Sequence, residues 1–468
     1  MKTATLYNST NLKAPPASFR DALLKGLAPD GGLYMPDRLP VFSRRKLSEF
    51  SSLSYPEMAA EIISAITGDE TGTDELRKIC SSIYTFGIPL EHVQDKHYIM
   101  RLDQGPTASF KDFAALLMGR LMQFFLKKEN RNITILTATS GDTGSAVANA
   151  FHGLDSINVI ILYPANEVSE LQRKQMTTLG GNVSVIEIDG KFDDCQRLVK
   201  TAFMDPSLTK FNLSSANSIN IGRLLPQSVY YFYAWSRLAE NTENTCIFSV
   251  PSGNFGNLAG GILAARMGLP VERFVIATNE NNEVPLFMQS EEYHPITPSI
   301  NCISSAMNVG HPSNLARIIA MYGGRMDEKG IIHTMPDMNA MRRDFYATFF
   351  SDNETRKTIR DFYSKYGMVL EPHGAVAWAG LQEAIANNPA YQEKLCIAVE
   401  TAHPAKFRDE IKSILNIEPE PVSYTHLRAH ETVLDLVCCL LLEKKNKPKN
   451  SYTIVLLTYY IFSYQLFH

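Results

Sequence analysis

The sequence predicts an α/β protein with two doubly wound domains and an N-terminal helical extension. Two series of alternating strand and helix patterns carry this prediction, the first beginning at Asn132 and the second at Cys246. Strands recur about every 25 residues in the first series, which is the spacing of βαβ units in a mostly parallel sheet. The 468 residues correspond to about three domains of ~150 residues, so two domains with an extension account for the length.

Short runs rich in β-branched residues predict the buried strands of the first series. Its predicted strands are 132–139, 157–164 and 182–189, and its predicted helices are 143–154, 169–181 and 192–203. A long amphipathic helix, 221–239, precedes the second series, which has strands at 246–253 and 273–279 and a helix at 255–268. Both series therefore have the alternation that favours parallel sheets covered by helices.

The same patterns divide the chain into four predicted regions. Residues 1–97 form an extension with helical stretches such as 56–68, residues 98–215 a smaller α/β domain, and residues 216–417 a larger one. The alternation stops in the tail, 418–468. Its last 17 residues are apolar, but they are fewer than the ~20 that span a bilayer, so we expect no membrane anchor.

The composition excludes several classes of protein. Lys and Arg total 45 against 49 for Asp and Glu, a net charge of −4, so the chain lacks the basic excess typical of nucleic-acid binding. The seven cysteines are scattered without CxxC or zinc-ligand spacing, which indicates a reducing compartment and predicts no metal site. The first residues lack the apolar segment of a secretory signal, so we expect a cytoplasmic protein.

Two strand-to-helix turns have the composition of anion-binding sites. They are TSGDTG at 139–144 and PSGNFG at 251–256. Small residues let the backbone approach a ligand, and the N–H groups at a helix start attract negative charge. A single turn of this kind is more often a tight connection. Neither has the spacing typical of nucleoside triphosphate or NAD sites, and together they suggest ligands with two anionic ends.

Lys111 lies in the segment GPTASFKDF, where a helix is predicted to begin. Partial burial between Phe110 and Phe113, together with the positive end of the helix dipole, would lower the pKa of its amine. A lysine in such a position can be a nucleophile or a Schiff-base partner. Considered alone, however, the segment favours a solvent-facing helix lysine, which is the commoner case.

Two further segments carry side chains that could bind an anion or the nitrogen of an aromatic ring. Asn217 and Ser218 provide neutral donors, and the guanidinium of Arg223 matches phosphate geometry. Considered alone, however, the segment favours a capped helix that carries a surface arginine. Thr401 follows the apolar run 395–399, and a hydroxyl at a strand end could meet a ring nitrogen.

Eight motifs, in this order, resemble those of the threonine synthase family, in its microbial branch. They are GLAPDGGLYMP, GPTASFKDF, TATSGDTGSAVA, LSSANSINIGRLLPQ, VPSGNFGNLAGG, SAMNVGHPSN, EPHGAVAW and ETAHPAKF. The resemblance covers residues 6–417. It implies the fold-type II pyridoxal-phosphate architecture, similar to the tryptophan synthase beta chain, with pyridoxal 5'-phosphate in the cleft between two α/β domains.

The resemblance also implies roles for single residues. Lys111 matches the catalytic Schiff-base lysine, and Thr401 the hydroxyl partner of the ring nitrogen. The implied cofactor-binding residues are Lys111, Asp142, Gly253, Asn254, Phe255, Gly256 and Thr401, of which 253–256 hold the phosphate. The implied substrate-binding residues are Thr139, Ser140 and Thr143 for the carboxylate and Asn217, Ser218 and Arg223 for the substrate phosphate.

The implied activity is the conversion of O-phospho-L-homoserine and water to L-threonine and phosphate by a monomer or homodimer. The alternatives are a phospho-lyase that releases 2-oxobutyrate, a non-catalytic binding protein on the same scaffold, and a serine or threonine dehydratase. The tail departs from the family, and we hypothesise that residues 422–468 are not native. His426 and His430 have helical spacing but no third ligand, so no metal is expected there.

Overall fold

The computed structural model describes residues 5–139, 141–165 and 167–419. These residues form two compact units. The first unit contains residues 5–121 and 218–419, and the second contains residues 122–217. The first unit therefore includes the predicted extension, the start of the predicted smaller domain and the predicted larger domain. The boundaries of the four predicted regions stay a prediction.

The N-terminal part of the chain combines helices with short antiparallel strands. Its elements are β1 (Tyr7–Ser9), α1 (Phe19–Lys25), β2 (Tyr34–Pro36), α2 (Arg44–Glu49), α3 (Tyr55–Thr67), α4 (Thr73–Ile83), β3 (Leu90–Gln94), β4 (His97–Arg101) and α5 (Lys111–Glu129). The predicted helix at 56–68 is confirmed as α3. It begins at a capping box in which Glu57 bonds back to Ser54, which satisfies N–H groups that a helix start leaves open.

The second unit is a parallel α/β sheet, as the first series of patterns predicts. Its elements are β5 (Ile133–Ala138), α6 (Asp142–Phe151), β6 (Ile157–Pro164), α7 (Glu170–Thr177), β7 (Val183–Ile188), α8 (Phe192–Met204) and β8 (Leu213–Ser214). The strand order is β7-β6-β5-β8, and every pairing is parallel. Strand residues such as Leu162 and Ile186 pack with Cys195 and Val199 of α8 in one buried cluster.

The remaining elements complete the first unit. They are α9 (Ile221–Leu224), α10 (Val229–Leu238), β9 (Cys246–Pro251), α11 (Gly256–Arg266), β10 (Val271–Thr278), α12 (Glu283–Ser290), α13 (Leu315–Met321), β11 (Arg325–Met326), β12 (Ile332–Thr334), α14 (Met338–Asp344), β13 (Phe345–Phe349), α15 (Asp352–Tyr366), α16 (Pro372–Asn387), β14 (Leu395–Glu400) and α17 (Arg408–Leu415). The six-stranded sheet has the order β13-β10-β9-β14-β4-β3, and only β3 runs antiparallel to its neighbour.

The prediction of one continuous helix over 221–239 is wrong. The chain forms α9, a 3-10 turn at Leu225–Ser228 and then α10. Pro226 lies in the turn and lacks the N–H group that a continuous α-helix would use for its hydrogen bond four residues back, although Leu225 before it keeps a helical conformation. The amphipathic pattern continues through the break, so the apolar positions alone did not indicate it.

No helix in the described part of the chain is long and apolar enough to cross a membrane. The tail beyond residue 419 lies outside the described residues. The hypotheses about residues 422–468 and about His426 and His430 therefore fall outside them as well.

Candidate active site

Lys111 is the first residue of α5, as the segment GPTASFKDF predicts. Its side chain is half-buried, and its Nζ lies 4.8 Å from the ring centroid of Phe110. The following residue, Asp112, is buried and accepts hydrogen bonds from the backbone N–H and the hydroxyl of Thr107 at 2.8 and 2.6 Å. Burial raises the pKa of Asp112 to about 6. The turn that carries Lys111 is thus held by buried polar contacts.

Backbone pairing joins this turn to the segment that contains Thr401. The N–H of Phe110 donates to the carbonyl of Thr401 at 2.9 Å, and the N–H of His403 donates to the carbonyl of Ala108 at 3.1 Å. Ser109 and Ala402 form an antiparallel bridge between these two bonds. Lys111 and Thr401 therefore belong to adjacent, hydrogen-bonded segments although 290 positions separate them in the sequence.

The turn at 251–256 lies at the same edge of the six-stranded sheet. Strand β9 leads into it and β14 leads into Thr401, and these two buried strands are parallel neighbours. Loops that follow the carboxyl ends of parallel strands meet at one edge, which is where α/β sheets bind ligands. The predicted contacts of the cofactor with Lys111, with Thr401 and with the 251–256 turn thus come from one edge of the sheet.

The geometry of this turn requires a glycine at position 253 and places the first backbone N–H groups of a helix at its end. A β-carbon on Gly253 would lie 2.6 Å from the Cα of Met307, so a larger residue would force the backbone to shift. Phe255 adopts a left-handed φ of 58°, and α11 begins at Gly256. The first N–H groups of a helix have no partners within it, so this turn fits a bound phosphate group.

Asn254 connects the turn to the segment at 218. Its side-chain amide donates to the hydroxyl of Ser218, and its Oδ1 accepts the N–H of Ser313 at 2.7 Å. Asn314 donates to the backbone carbonyl of Asn254 at 3.0 Å. Two predicted sites, one for cofactor phosphate and one for substrate phosphate, are therefore in direct contact.

Two buried arginines lie around this contact. Arg223 in α9 is only 4% exposed, which excludes the alternative of a surface arginine, and burial lowers the pKa of its guanidinium to about 10. Arg317 is fully buried and donates to the carbonyls of Ser218 and Ile219 at 2.9 and 2.6 Å. Sequence reasoning did not identify Arg317, although the neighbouring motif SAMNVGHPSN was a signal.

Glu371 is a second residue that sequence reasoning missed. The hydroxyl of Thr401 donates to its Oε1 at 3.2 Å, and both side chains are buried. Glu371 caps the N-terminus of α16 and opens the motif EPHGAVAW, to which the sequence analysis gave no role.

Of the other predicted substrate contacts, Thr139 and Thr143 follow β5 in the second unit. The hydroxyl of Thr139 accepts the N–H groups of Gly141 and Gly144 at 2.9 and 2.8 Å, and Thr143 is half-buried at the start of α6. Asn217 follows β8 and accepts a hydrogen bond from the hydroxyl of Thr137, and Ser140 lies outside the described residues. The predicted cofactor contact Asp142 accepts a hydrogen bond from the side-chain amide of Gln172 at 2.9 Å.

Comparison with known proteins defines the class of this chain. Residues 86–400 match the family model described as "Pyridoxal-phosphate dependent enzyme", and residues 6–84 match "Threonine synthase N terminus". The catalytic class is therefore that of pyridoxal-phosphate enzymes.

Individual relatives narrow the class. Threonine synthase of Escherichia coli (strain K12) is 39% identical over 399 residues, covering 85% of this chain and 88% of the relative. Threonine synthase of Haemophilus influenzae is 39% identical over 414 residues, covering 88% and 92%. The crystal structure of the Escherichia coli threonine synthase matches with a TM-score of 0.83 at 36% identity, covering 97% of this chain and 99% of that one.

A crystal structure of pyridoxal-phosphate-bound threonine synthase from Brucella melitensis matches with a TM-score of 0.84 at 35% identity, covering 90% of this chain and 93% of that one. The chain belongs to the threonine synthase family of pyridoxal-phosphate-dependent lyases. The predicted fold-type II architecture and cofactor are confirmed by these matches.

Proposed function

We propose that this chain forms L-threonine and inorganic phosphate from the small molecule O-phospho-L-homoserine and water. The observation that carries the proposal is the pairing of the Lys111 segment with the Thr401 segment, at the sheet edge that also holds the 251–256 turn. A Schiff-base amine, a partner for a ring nitrogen and a phosphate site are the three contacts that hold pyridoxal phosphate.

Lys111 is proposed to hold the cofactor as a Schiff base and then to act as the proton carrier. The bound cofactor supplies an electron sink for negative charge on the substrate carbons. The free Lys111 amine would take the Cα proton of the substrate and would transfer protons at the neighbouring Cβ and Cγ, as phosphate leaves Cγ and water adds at Cβ. Partial burial beside Phe110 supports this role, since a desolvated amine exchanges protons more readily near neutral pH.

The 253–256 turn is proposed to bind the cofactor phosphate through backbone N–H groups, and Thr401 to meet the ring nitrogen. The packing around Gly253 and the start of α11 at the half-buried Gly256 support the first role. Burial of the Thr401 hydroxyl supports the second. Asp142 remains a proposed neighbour of the cofactor.

Ser218 and Arg223 are proposed to bind the phosphate of the substrate, with Asn217 beside them. A buried guanidinium matches a phosphate dianion in both charge and fork geometry, and the contact from Arg317 to the Ser218 carbonyl supports a rigid site. Thr139, Ser140 and Thr143 are proposed to bind the substrate carboxylate. The Thr139 hydroxyl also accepts the N–H groups of Gly141 and Gly144, which supports a fixed turn at this place.

The test is a product balance on the purified holoenzyme. Protein carrying pyridoxal phosphate is mixed with O-phospho-L-homoserine, and phosphate, threonine and 2-oxobutyrate are quantified together. Equal amounts of phosphate and threonine are expected. Phosphate with 2-oxobutyrate would assign the chain to the phospho-lyase alternative, and no product from cofactor-loaded protein would favour the binding protein.

A cytoplasmic location is part of the same proposal. Five cysteines of the described residues, at positions 80, 195, 246, 302 and 396, are buried and free, which supports a reducing compartment. Fractionation of cells that produce the natural protein, with antibody detection, tests this location.

A further inference from the structure

A closed ring of hydrogen bonds includes the buried Arg317. Its Nη1 donates to the carbonyl oxygen of Ser218 at 2.9 Å and to Oδ1 of Asn314 at 2.6 Å. The side-chain amide of Asn314 donates to the carbonyl oxygen of Asn254 at 3.0 Å, and the side-chain amide of Asn254 donates to the hydroxyl of Ser218. The ring therefore ties Ser218, a proposed contact of the substrate phosphate, to the proposed cofactor-phosphate turn.

The ring also fixes the direction of the Ser218 hydroxyl. The backbone N–H of Ser313 donates to Asn254 at 2.7 Å, and because an N–H group cannot accept, the atom that it meets is the amide oxygen. The amide nitrogen of Asn254 therefore faces Ser218, whose hydroxyl oxygen accepts. Ser218 lies beside the start of α11, since a β-carbon on Gly256 would be 3.8 Å from its own β-carbon. Its hydroxyl proton is left for another acceptor, such as a phosphate oxygen.

The second terminal nitrogen of Arg317 holds two more backbone segments. Nη2 donates to the carbonyl oxygen of Ile219 at 2.6 Å and to that of Tyr34 at 3.4 Å. Tyr34 is the first residue of β2, and Ile219 lies between Ser218 and the helix α9 that carries Arg223. Arg317 thus fixes the backbone of the short segment that holds both proposed contacts of the substrate phosphate.

Arg317 carries a buried charge that none of its hydrogen-bond partners neutralises. Its side chain is fully buried, and burial lowers the pKa of its guanidinium to about 9, which leaves it protonated at neutral pH. All four oxygens that accept its hydrogen bonds belong to backbone carbonyls or to an amide. A buried charge is costly unless an opposite charge offsets it. A dianionic ligand group beside Ser218 would offset this one.

We propose that Arg317 is a positioning residue that holds the Ser218 hydroxyl toward the substrate phosphate and places a buried positive charge behind it, so that the site selects ligands with a phosphate group. This inference rests on the proposed function, in which Ser218 and Arg223 contact that phosphate. Arg317 acts through the backbone of these residues and through Asn314. Its loss should therefore affect ligands that carry a phosphate group more than ligands that lack one.

The experiment compares two ligands that differ in the phosphate group. One is the phosphonate analogue of O-phospho-L-homoserine, in which a methylene group replaces the ester oxygen, and the other is L-homoserine. Each is titrated into purified holoprotein, and the change in cofactor absorbance gives its dissociation constant. Arg317→Gln should weaken phosphonate binding at least about 10-fold, as for loss of one charge-assisted interaction, and L-homoserine binding less than about 3-fold. Arg317→Lys keeps the charge and should recover part of the phosphonate affinity.

Two further variants separate this role from general structural damage. Arg237→Gln is the matched control, because Arg237 also donates to three backbone carbonyls, within residues 50–53, and its loss should leave both affinities unchanged. Asn314→Asp keeps Arg317 and the shape of the side chain but places a carboxylate against the guanidinium. It should weaken phosphonate binding selectively, and it provides the test if Arg317→Gln does not fold.

The outcomes separate this inference from the proposed function. Equal weakening of both ligands in Arg317→Gln, or an unchanged phosphonate affinity in Arg317→Gln or Asn314→Asp, overturns the inference. If the natural protein still forms threonine in that case, the proposed function stands and only the inference fails. If the natural holoprotein neither binds the phosphonate nor releases phosphate from O-phospho-L-homoserine, both fail.

Discussion

Phe110 donates its backbone N–H to the carbonyl oxygen of Thr401 at 2.9 Å. This bond ties the residue before Lys111 to the residue that follows β14. Because both segments are held by backbone pairing, the relative position of the Lys111 and Thr401 backbones does not depend on either side chain. Substitutions of Lys111 should therefore test chemistry with little effect on the fold.

Lys111→Ala should abolish the Schiff base and reduce kcat by at least about 10³-fold, since it removes both the covalent attachment and the proton carrier. The measurement is the absorbance of the holoprotein together with the rate of phosphate release. Lys128→Ala is the matched control, because this exposed lysine of the same helix contacts only the Phe124 ring in its described interactions. A variant at Lys111 that retained the natural rate would contradict the assignment.

Arg223→Gln should lower kcat/KM for O-phospho-L-homoserine by about 10- to 100-fold, the effect of losing a charge-assisted hydrogen bond of about 1.5–3 kcal/mol. The cofactor absorbance should persist, because Arg223 is assigned to the substrate and not to the cofactor. Steady-state kinetics and the absorbance spectrum check the two expectations. The control is Arg343→Gln at an exposed ion pair, and equal losses in both variants would argue against the role of Arg223.

Gly253→Ala should weaken cofactor binding and destabilise the protein by about 1–3 kcal/mol, the usual cost of overpacking. The added methyl group would lie 2.6 Å from the Cα of Met307, a backbone atom that cannot move aside alone. Thermal unfolding with and without pyridoxal phosphate measures both effects. Gly87→Ala is the control, since a β-carbon there meets nothing within 4 Å. Unchanged cofactor affinity in Gly253→Ala would contradict the proposed phosphate turn.

Glu283→Gln should change how stability depends on pH. Burial raises the pKa of Glu283 to about 7 from an ordinary value of 4.5, so between these pH values the folded state holds a proton that the unfolded state has lost. The free energy of unfolding of the natural protein therefore falls as pH rises from 4.5 to 7, by about 3 kcal/mol at about 1.4 kcal/mol per pKa unit.

The Glu283→Gln variant has no such proton to lose, so its stability should exceed that of the natural protein by more at pH 8 than at pH 5. Urea unfolding at both pH values measures the difference. Glu354→Gln is the control: hydrogen bonds from Ser351 lower the pKa of Glu354 below its ordinary value of 4.5, so its effect on stability should hardly differ between pH 5 and pH 8. A pH-independent difference for Glu283→Gln would refute the expected burial effect.

The local elements were predictable because their signals are local. The strand predicted at 157–164 is β6 with the same bounds, since a short run rich in β-branched and apolar residues between turn residues is typical of a buried strand. The helix predicted at 221–239 failed at Pro226, where a single missing N–H outweighs an otherwise continuous pattern.

The sequence by itself determined the series of strands and helices, the residue types at the candidate site and, through its ordered motifs, the family. It did not determine which polar groups meet. Whether Arg223 is buried, and whether Thr401 faces Glu371, depends on residues far apart in the chain that sheet pairing brings together. Only the tertiary structure decides these contacts, because the direction of a hydrogen bond depends on the partners that the fold supplies and not on the residue alone.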